Sequence, residues 1–288
     1  MSDHLHVAIT GASGFVGKNL RRFLSKKGIK VTAISRKDFR VFDNETKVRI
    51  KDYKENKIIQ NLKNCNVLIH LVGIGRQTIH NDYEETNVGI TERLVKKSKE
   101  VGIKKIIYNS GLGVHQKTTV GYFISKLKAE RIIIGSGIGY TIFRPSYIVG
   151  RDDPLTKNLK KQIKKGVIKI PGSAKYRMQP ITINDVSEII YQAISGGSYT
   201  NKTLDLVGPK VVTFGEYTKK FNQNRAKIKK IDLEQAYRSS MNDPNSLYGF
   251  DDLNIMIGDF IGNHSIIKNI SKIEFELFEG FLKSSSLS

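Results

Sequence analysis

Residues 5–17 limit the possible folds of this chain more than any other segment. An apolar run, 5–10, passes directly into Thr10-Gly11-Ala12-Ser13-Gly14-Phe15-Val16-Gly17, and then Val16, Leu20, Phe23 and Leu24 recur at helical spacing until Gly28 stops the pattern. A strand, a glycine turn and a helix in immediate succession form the arrangement that brings backbone close to a pyrophosphate. Gly11 permits the tight turn, Gly14 lets backbone N–H groups approach phosphate oxygens at the helix N-terminus, and Gly17 lets the helix lie close on the strand. Ser13, Phe15 and Val16 complete the expected contact segment. In a chain with 25 glycines the triplet alone is weak evidence. Its position at the first strand-turn-helix of an alternating chain makes it strong.

The alternation continues. Apolar, β-rich runs at 30–35, 48–51, 67–72, 105–110, 140–145 and 203–207 are separated by helical patterns, such as Val88, Leu94, Val95 and Val101 with Gly102 as stop. This order predicts an α/β fold, a doubly wound parallel sheet of the Rossmann type covered on both faces. Residues 1–150 read as the nucleotide-binding domain, and 181–208 complete its sheet through a helix at 184–194 capped by Asn184 or Thr182. A smaller, mainly helical substrate or lid part is expected at 151–180 and 209–288, with 284–288 as a frayed tail.

The end of the second strand selects the nucleotide. A carboxylate there would bind both ribose hydroxyls and repel a 2′-phosphate, whereas this chain has Ser35-Arg36-Lys37. Arg36 offers a planar donor fork for a phosphate, Ser35 removes the acid, and Asp38 lies one residue too far along to replace it. NADP(H) is therefore expected in preference to NAD(H), which stays possible.

Composition narrows the rest. No apolar run approaches the ~18 residues of a membrane span, the first six residues carry no leader pattern, and a single cysteine, Cys65, excludes an intrachain disulfide. A cytoplasmic protein without a metal site is expected. The formal charge of +21 comes from 35 lysines and 13 arginines scattered along the chain. One local pattern stands out: Lys157, Lys160, Lys161, Lys164 and Lys165 share a helical face. That face is either simply solvated or meets an anionic partner, and specific nucleic-acid binding is not expected because no recognised module is present.

Further motifs give the chain a family resemblance. Besides the glycine loop they are Asp52 after the third strand, His70-Leu71-Val72-Gly73 at the fourth, Asn87-Val88 opening the next helix, Ser110 at the fifth, Tyr122 with Lys126, Arg144-Pro145-Ser146 at the sixth, and residues 180–186. Over about residues 5–208 the chain resembles the extended and atypical short-chain dehydrogenase/reductases, the NAD-dependent epimerase/dehydratase group. It looks most like the atypical branch that contains the NADPH-binding accessory subunit of respiratory complex I. The resemblance implies that Asp52 lies near the adenine, that Leu71, Val72 and Gly73 pass beside the cofactor, that Asn87 supports the sheet, and that Pro145 borders the site.

Tyr122 and Lys126 stand four residues apart, on one helix face, where an ammonium can lower a phenol pKa and hold the nicotinamide ribose. The family's Ser or Thr partner usually lies one or two residues beyond the first serine of the fifth strand end, and those positions are Gly111 and Leu112. Ser110 either polarises a substrate carbonyl in their place or is structural. Two functions follow. One is an NADP-dependent reductase, dehydrogenase or epimerase acting on a small carbonyl, alcohol or sugar nucleotide, with Tyr122 transferring the proton. The other is a weakly active or inactive NADPH-binding assembly or sensor subunit. The lid names no substrate: Arg151 and Arg177 meet a substrate phosphate or are solvated.

Overall fold

The chain was analysed as a computed structural model that describes residues 5–78, 80–243 and 246–285. The apolar runs become strands β1 (His6–Thr10), β2 (Lys30–Ser35), β3 (Glu45–Arg49), β4 (Val67–His70), β5 (Lys105–Asn109) and β6 (Gly139–Pro145). Four further strands, β7 (Ile148–Val149), β8 (Val167–Pro171), β9 (Arg177–Met178) and β10 (Ile181–Thr182), precede β11 (Lys202–Leu206), and β12 (Val212–Thr213) and β13 (Lys227–Ile231) follow it. Seven strands form one sheet in the order β11-β6-β5-β4-β1-β2-β3, every pair parallel. The order reverses between β1 and β4, so the loops after these two strands open a crevice at the carboxyl edge, where ligands bind in sheets of this kind.

The central strands are buried on both faces, which is why they read as continuous apolar runs. One face is covered by α1 (Phe15–Lys26), the other by α2 (Lys57–Leu62), α3 (Ile90–Val101) and α4 (Gly121–Ile134). A π-helical turn, Glu84–Gly89, precedes α3, and Gly102 ends it in the left-handed region at φ 79°. After α5 (Pro154–Lys164), α6 (Ile183–Ser195) returns to the first face beside α1, capped by Thr182, whose hydroxyl accepts from the Asp185 N–H. Thr182, rather than Asn184, is the cap.

Three of the remaining pairings were not legible as strands: β7 with β10, β9 with β12, and β8 with β13. They organise a second core in which Leu159, Ile168, Ile170, Tyr217, Phe221 and Phe278 are buried. Helices α7 (Phe214–Asn222), α8 (Leu233–Asn242), α9 (Phe250–Met256), α10 (His264–Ser271) and α11 (Phe278–Ser285) make the C-terminal part mainly helical. Part of it returns to the sheet, because α10 packs along the outer strand β11 and Ile267 joins the sheet's own core. The tail expected to fray is helical to residue 285, and 286–288 lie outside the described residues.

Candidate functional site

At the switch point the glycine loop and the end of β4 touch. Gly11 has φ +73°, and a Cβ on it would stand 2.9 Å from the Leu71 carbonyl carbon; one on Gly17 would stand 2.4 Å from the Gly11 oxygen. Any side chain at either position would force the loop apart. Gly14 is the N-cap of α1 and supplies no side-chain cap, and the first turn holds no acidic residue. The amides of Phe15 and Val16 therefore lie at an uncapped, electropositive helix end that suits the phosphates of a dinucleotide. One buried neighbour fixes the loop. Arg21, only 1% exposed, donates to the Ala12 carbonyl at 3.0 Å, and it is anchored by Glu45 at 2.8 and 2.6 Å and stacked on Phe39.

Beyond the loop, the Ser13 and Ser35 hydroxyls share a hydrogen bond of 2.7 Å, and Ser35 also accepts from the Lys37 N–H. Arg36 is exposed and free of these bonds. It borders a cavity of about 150 Å³ with Asp52, Tyr53, His80, Asn81 and Thr86. The acid nearest in sequence, Asp38, is turned away to Lys47 at 2.7 Å, and that ion pair holds its carboxyl below the usual carboxylate range, while Asp52, Asp82 and Glu85 line the same cavity as Arg36. Burial pushes the Tyr53 phenol up to about 12, so it presents a neutral hydroxyl.

Across the crevice, Leu71 and Val72 are half-buried and Gly73 is exposed, followed by Ile74, which Asn87 holds. The Asn87 side chain accepts from the Ile74 N–H at 2.9 Å and donates to the Ile74 carbonyl and to Ser125. Asn87 thus clamps the loop after β4 rather than the sheet itself. Tyr83, which sequence reasoning passed over, adds a bond from its hydroxyl to the Gly75 carbonyl. A Cβ on Gly73 would lie 2.8 Å from Lys126 Nζ, so the bare glycine leaves room for that ammonium. His70 is buried between Thr10 and Thr91, each 2.9 Å from a ring nitrogen. Burial and the nearby Lys126 charge pull its pKa down to about 3, which makes it a neutral structural group.

Helix α4 brings Tyr122 and Lys126 to the same crevice. Lys126 is 4% exposed, donates to the Asn109 carbonyl at 3.1 Å, and lies 4.9 Å from the Tyr108 ring centre and 5.9 Å from that of Tyr122. Burial lowers its pKa to about 8 against the upward pull of Glu130. Burial also raises Tyr122 to about 12, opposite to the direction that a proton-transfer role favours. Ser110 is placed differently from a carbonyl-polarising group: its hydroxyl donates to Glu130 at 2.6 Å, and Glu130 is clasped by Arg144 at 2.9 and 2.6 Å. Ser110 and Glu130 are 3% and 2% exposed. Glu130 continues the Tyr122, Lys126 face by one helical turn, a signal that was available in the sequence.

Next to Ser110, a side chain on Gly111 would press tightly on Tyr122. Its Cβ would sit 3.2 Å from the Tyr122 hydroxyl. Gly113, at φ +102°, is similarly covered, because a Cβ there would meet Phe260 at 2.5 Å. Phe260 packs edge-on against Phe123 at 5.0 Å and belongs to a strap, residues 259–264, laid over the carboxyl ends of β5 and β11. Arg177 holds the strap through Asp259, the Gly262 N–H bonds to Gln179, and His264 Nδ1 lies 3.0 Å from the Val207 carbonyl oxygen. Arg177 is thus ion-paired, Arg151 is exposed, and Pro145, half-buried at the end of β6, accepts from the Leu112 N–H.

Comparison with known proteins agrees with this geometry. A family model described as NAD(P)H-binding matches residues 11–195. The chain is 28% identical over 220 residues to the mitochondrial NADH dehydrogenase [ubiquinone] 1 alpha subcomplex subunit 9 of Arabidopsis thaliana; the match covers 72% of this chain and 55% of that protein. The chain therefore spans only a little over half of that relative's length. Among solved structures, the fold is similar to UDP-glucuronic acid 4-epimerase from Bacillus cereus, in complex with UDP-glucuronic acid and NAD. The TM-score is 0.79 at 15% identity, covering 98% of each chain. It is also similar to a nucleoside-diphosphate-sugar epimerase from Staphylococcus aureus, with a TM-score of 0.78 at 18% identity, covering 97% of this chain and 100% of that one. Among the described residues no helix is long and apolar enough to cross a membrane.

Proposed function

This chain belongs to the NAD(P)H-binding family, and we propose that it holds NADP(H) as a resident ligand, in an assembly or sensor role with little or no hydride turnover. The observation that carries this reading is the fate of Ser110. Its hydroxyl is spent on buried Glu130, and the next position, Gly111, has no hydroxyl and borders Tyr122 closely, so the serine or threonine expected to polarise a substrate carbonyl is not supplied here. Phe260 covers the next position, Gly113, from the C-terminal strap. The relative in Arabidopsis thaliana, named as a subunit of NADH dehydrogenase, favours the same direction.

In this reading residues 1–150 with 181–208 bind the nucleotide, and 151–180 with 209–288 form the lid. Gly11, Ser13, Gly14, Phe15, Val16 and Gly17 hold the diphosphate, with the α1 N-terminus supplying positive potential. Arg36 takes the 2′-phosphate, with Ser35 in place of a strand-end acid and Asp38 paired with Lys47. Asp52 borders the adenine, and Leu71, Val72, Gly73 and Pro145 line the remaining walls. When bound, the nicotinamide supplies or accepts a hydride. Lys126, buried and facing Gly73, holds the ribose end, and Tyr122 shields it.

A second reading keeps a specific observation on its side: Tyr122 and Lys126 do share one face of α4 at the crevice. It is a reductase or epimerase on a small carbonyl, alcohol or sugar nucleotide, with Tyr122 moving the proton. A phenol raised to about 12 and a Lys126 ammonium committed to Asn109 make that proton transfer slow. The test is a pair of measurements on one preparation, the melting-temperature rise with NADPH and its oxidation across a panel of carbonyl compounds. A rise without oxidation supports the resident-ligand reading, and oxidation lost in Tyr122→Phe supports the second. For compartment we favour the cytoplasm, and fractionation of cells would decide it against the mitochondrial location in the relative's name.

A further inference from the structure

The positive charge is less scattered in space than along the sequence. Residues 154–184 hold eight basic residues and no acidic one, and 217–231 hold six and no acidic one. The fold sets these two segments side by side, because β8 pairs in parallel with β13, and α5 packs against β8. Lys169 and Lys229 are register partners, both exposed, so two like charges stand opposite each other in the ladder. Such a pair is unfavourable unless an anion screens it.

Some lysines elsewhere have partners: Lys18, Lys47, Lys128 and Lys210 each meet a carboxylate. On α5 and at its C-terminal cap, Lys157, Lys161, Lys164 and Lys165 are exposed, and no carboxylate among the described residues lies in ion-pair reach of them. The same holds for Lys227 and Lys230 on β13. We propose that the surface of α5, β8 and β13 docks on an anionic lipid surface.

The side-chain chemistry selects that occupant. The exposed cations of these three elements are all lysine, compact point charges that impose no bidentate geometry. The neighbouring Arg225 turns its guanidinium back on the Phe221 and Asn222 carbonyls. No aromatic residue occurs in α5, β8 or β13, so there is no platform on which a base could stack. Lysine is depleted from specific protein interfaces, whereas a lipid surface, with its diffuse negative potential, attracts each lysine independently. Beside α5, exposed Leu247 is fixed by a bond from Asn158 to its carbonyl, an apolar side chain within reach of a headgroup layer.

The test is co-sedimentation of the full chain with vesicles of phosphatidylcholine alone or with about 30% phosphatidylserine, the anionic lipid that lysine clusters favour. The expected result is binding to the anionic vesicles only, weakening with added salt. The triple variant Lys161→Gln, Lys165→Gln, Lys229→Gln should lose on the order of 100-fold in affinity. The control Lys96→Gln, Lys99→Gln, Lys104→Gln removes the same charge from exposed positions on and after α3 and should lose less than about threefold. Equal losses in both variants, equal binding to both vesicle types, or retention by duplex DNA without vesicle binding would each overturn the proposal. All six lysines are exposed, and unchanged melting temperatures would exclude misfolding as the cause.

Discussion

Replacing Ser110 with alanine separates the two roles that the hydroxyl could have. In this structure it makes one hydrogen bond, 2.6 Å to buried Glu130, which also carries the Arg144 ion pair. A hydrogen bond to a charged group contributes about 1.5–3 kcal/mol, and its loss leaves one Glu130 oxygen short of a donor. For a chain of 288 residues the unfolding entropy at the midpoint is roughly 0.6 kcal/mol per degree, so Ser110→Ala should melt about 2.5–5 °C lower. The measurement is a thermal scan with and without NADPH. The shift should be the same in both, because the hydroxyl faces Glu130 and not the crevice. An unchanged midpoint, combined with loss of NADPH affinity or of any turnover, would refute the assignment of Ser110 as a structural group.

Three further outcomes are expected. Arg36→Ala should weaken NADPH binding about 10- to 150-fold and leave NADH binding unchanged, as calorimetric titration would show. Lys126 has a folded pKa of about 8 against 10.5 when free. Between these values the unfolded chain keeps the proton that the folded chain has lost, so stability should rise from pH 8 to 10 by about 2–3 kcal/mol. Lys126→Met should remove that share of the rise in denaturant melts, leaving the rise from Lys105, also lowered by burial, against the opposing titration of the buried Cys65 thiol, raised from 9.0, and of Tyr53 and Tyr122, raised to about 12, above pH 10. Phe260→Ala should speed amide exchange at Gly113, which it covers, without changing the NADPH-induced stabilisation, and unaltered exchange would contradict the strap's role.

The sheet was legible because each strand, buried on both faces, needed an apolar run, and because glycines marked where a backbone had to pass close to another. The third strand was displaced in the reading, 48–51 against Glu45–Arg49, since an edge strand tolerates the exposed Thr46 and Lys47 that hid its start. Two-residue strands such as β7 and β12 have no period to detect, and the Lys-Ile-Lys-Lys-Ile of β13 reads as solvated until its pairing with β8 is known. The glycine loop, Arg36, Tyr122 and Lys126 all came from spacing and order. What spacing could not supply was direction. Nothing local says that Ser110 turns toward Glu130, 20 residues on, or that Phe260 reaches back to Gly113 from the far end of the chain.

The central claim is that the bound nucleotide is held and not consumed. Its most direct test is to follow the absorbance of NADPH mixed in equal amount with the protein while carbonyl compounds and sugar nucleotides are added in turn. The account predicts a bound, protected nucleotide that oxidises no faster than in protein-free solution. Oxidation accelerated about 10²-fold or more by any one of these compounds, and lost in Tyr122→Phe, would contradict it.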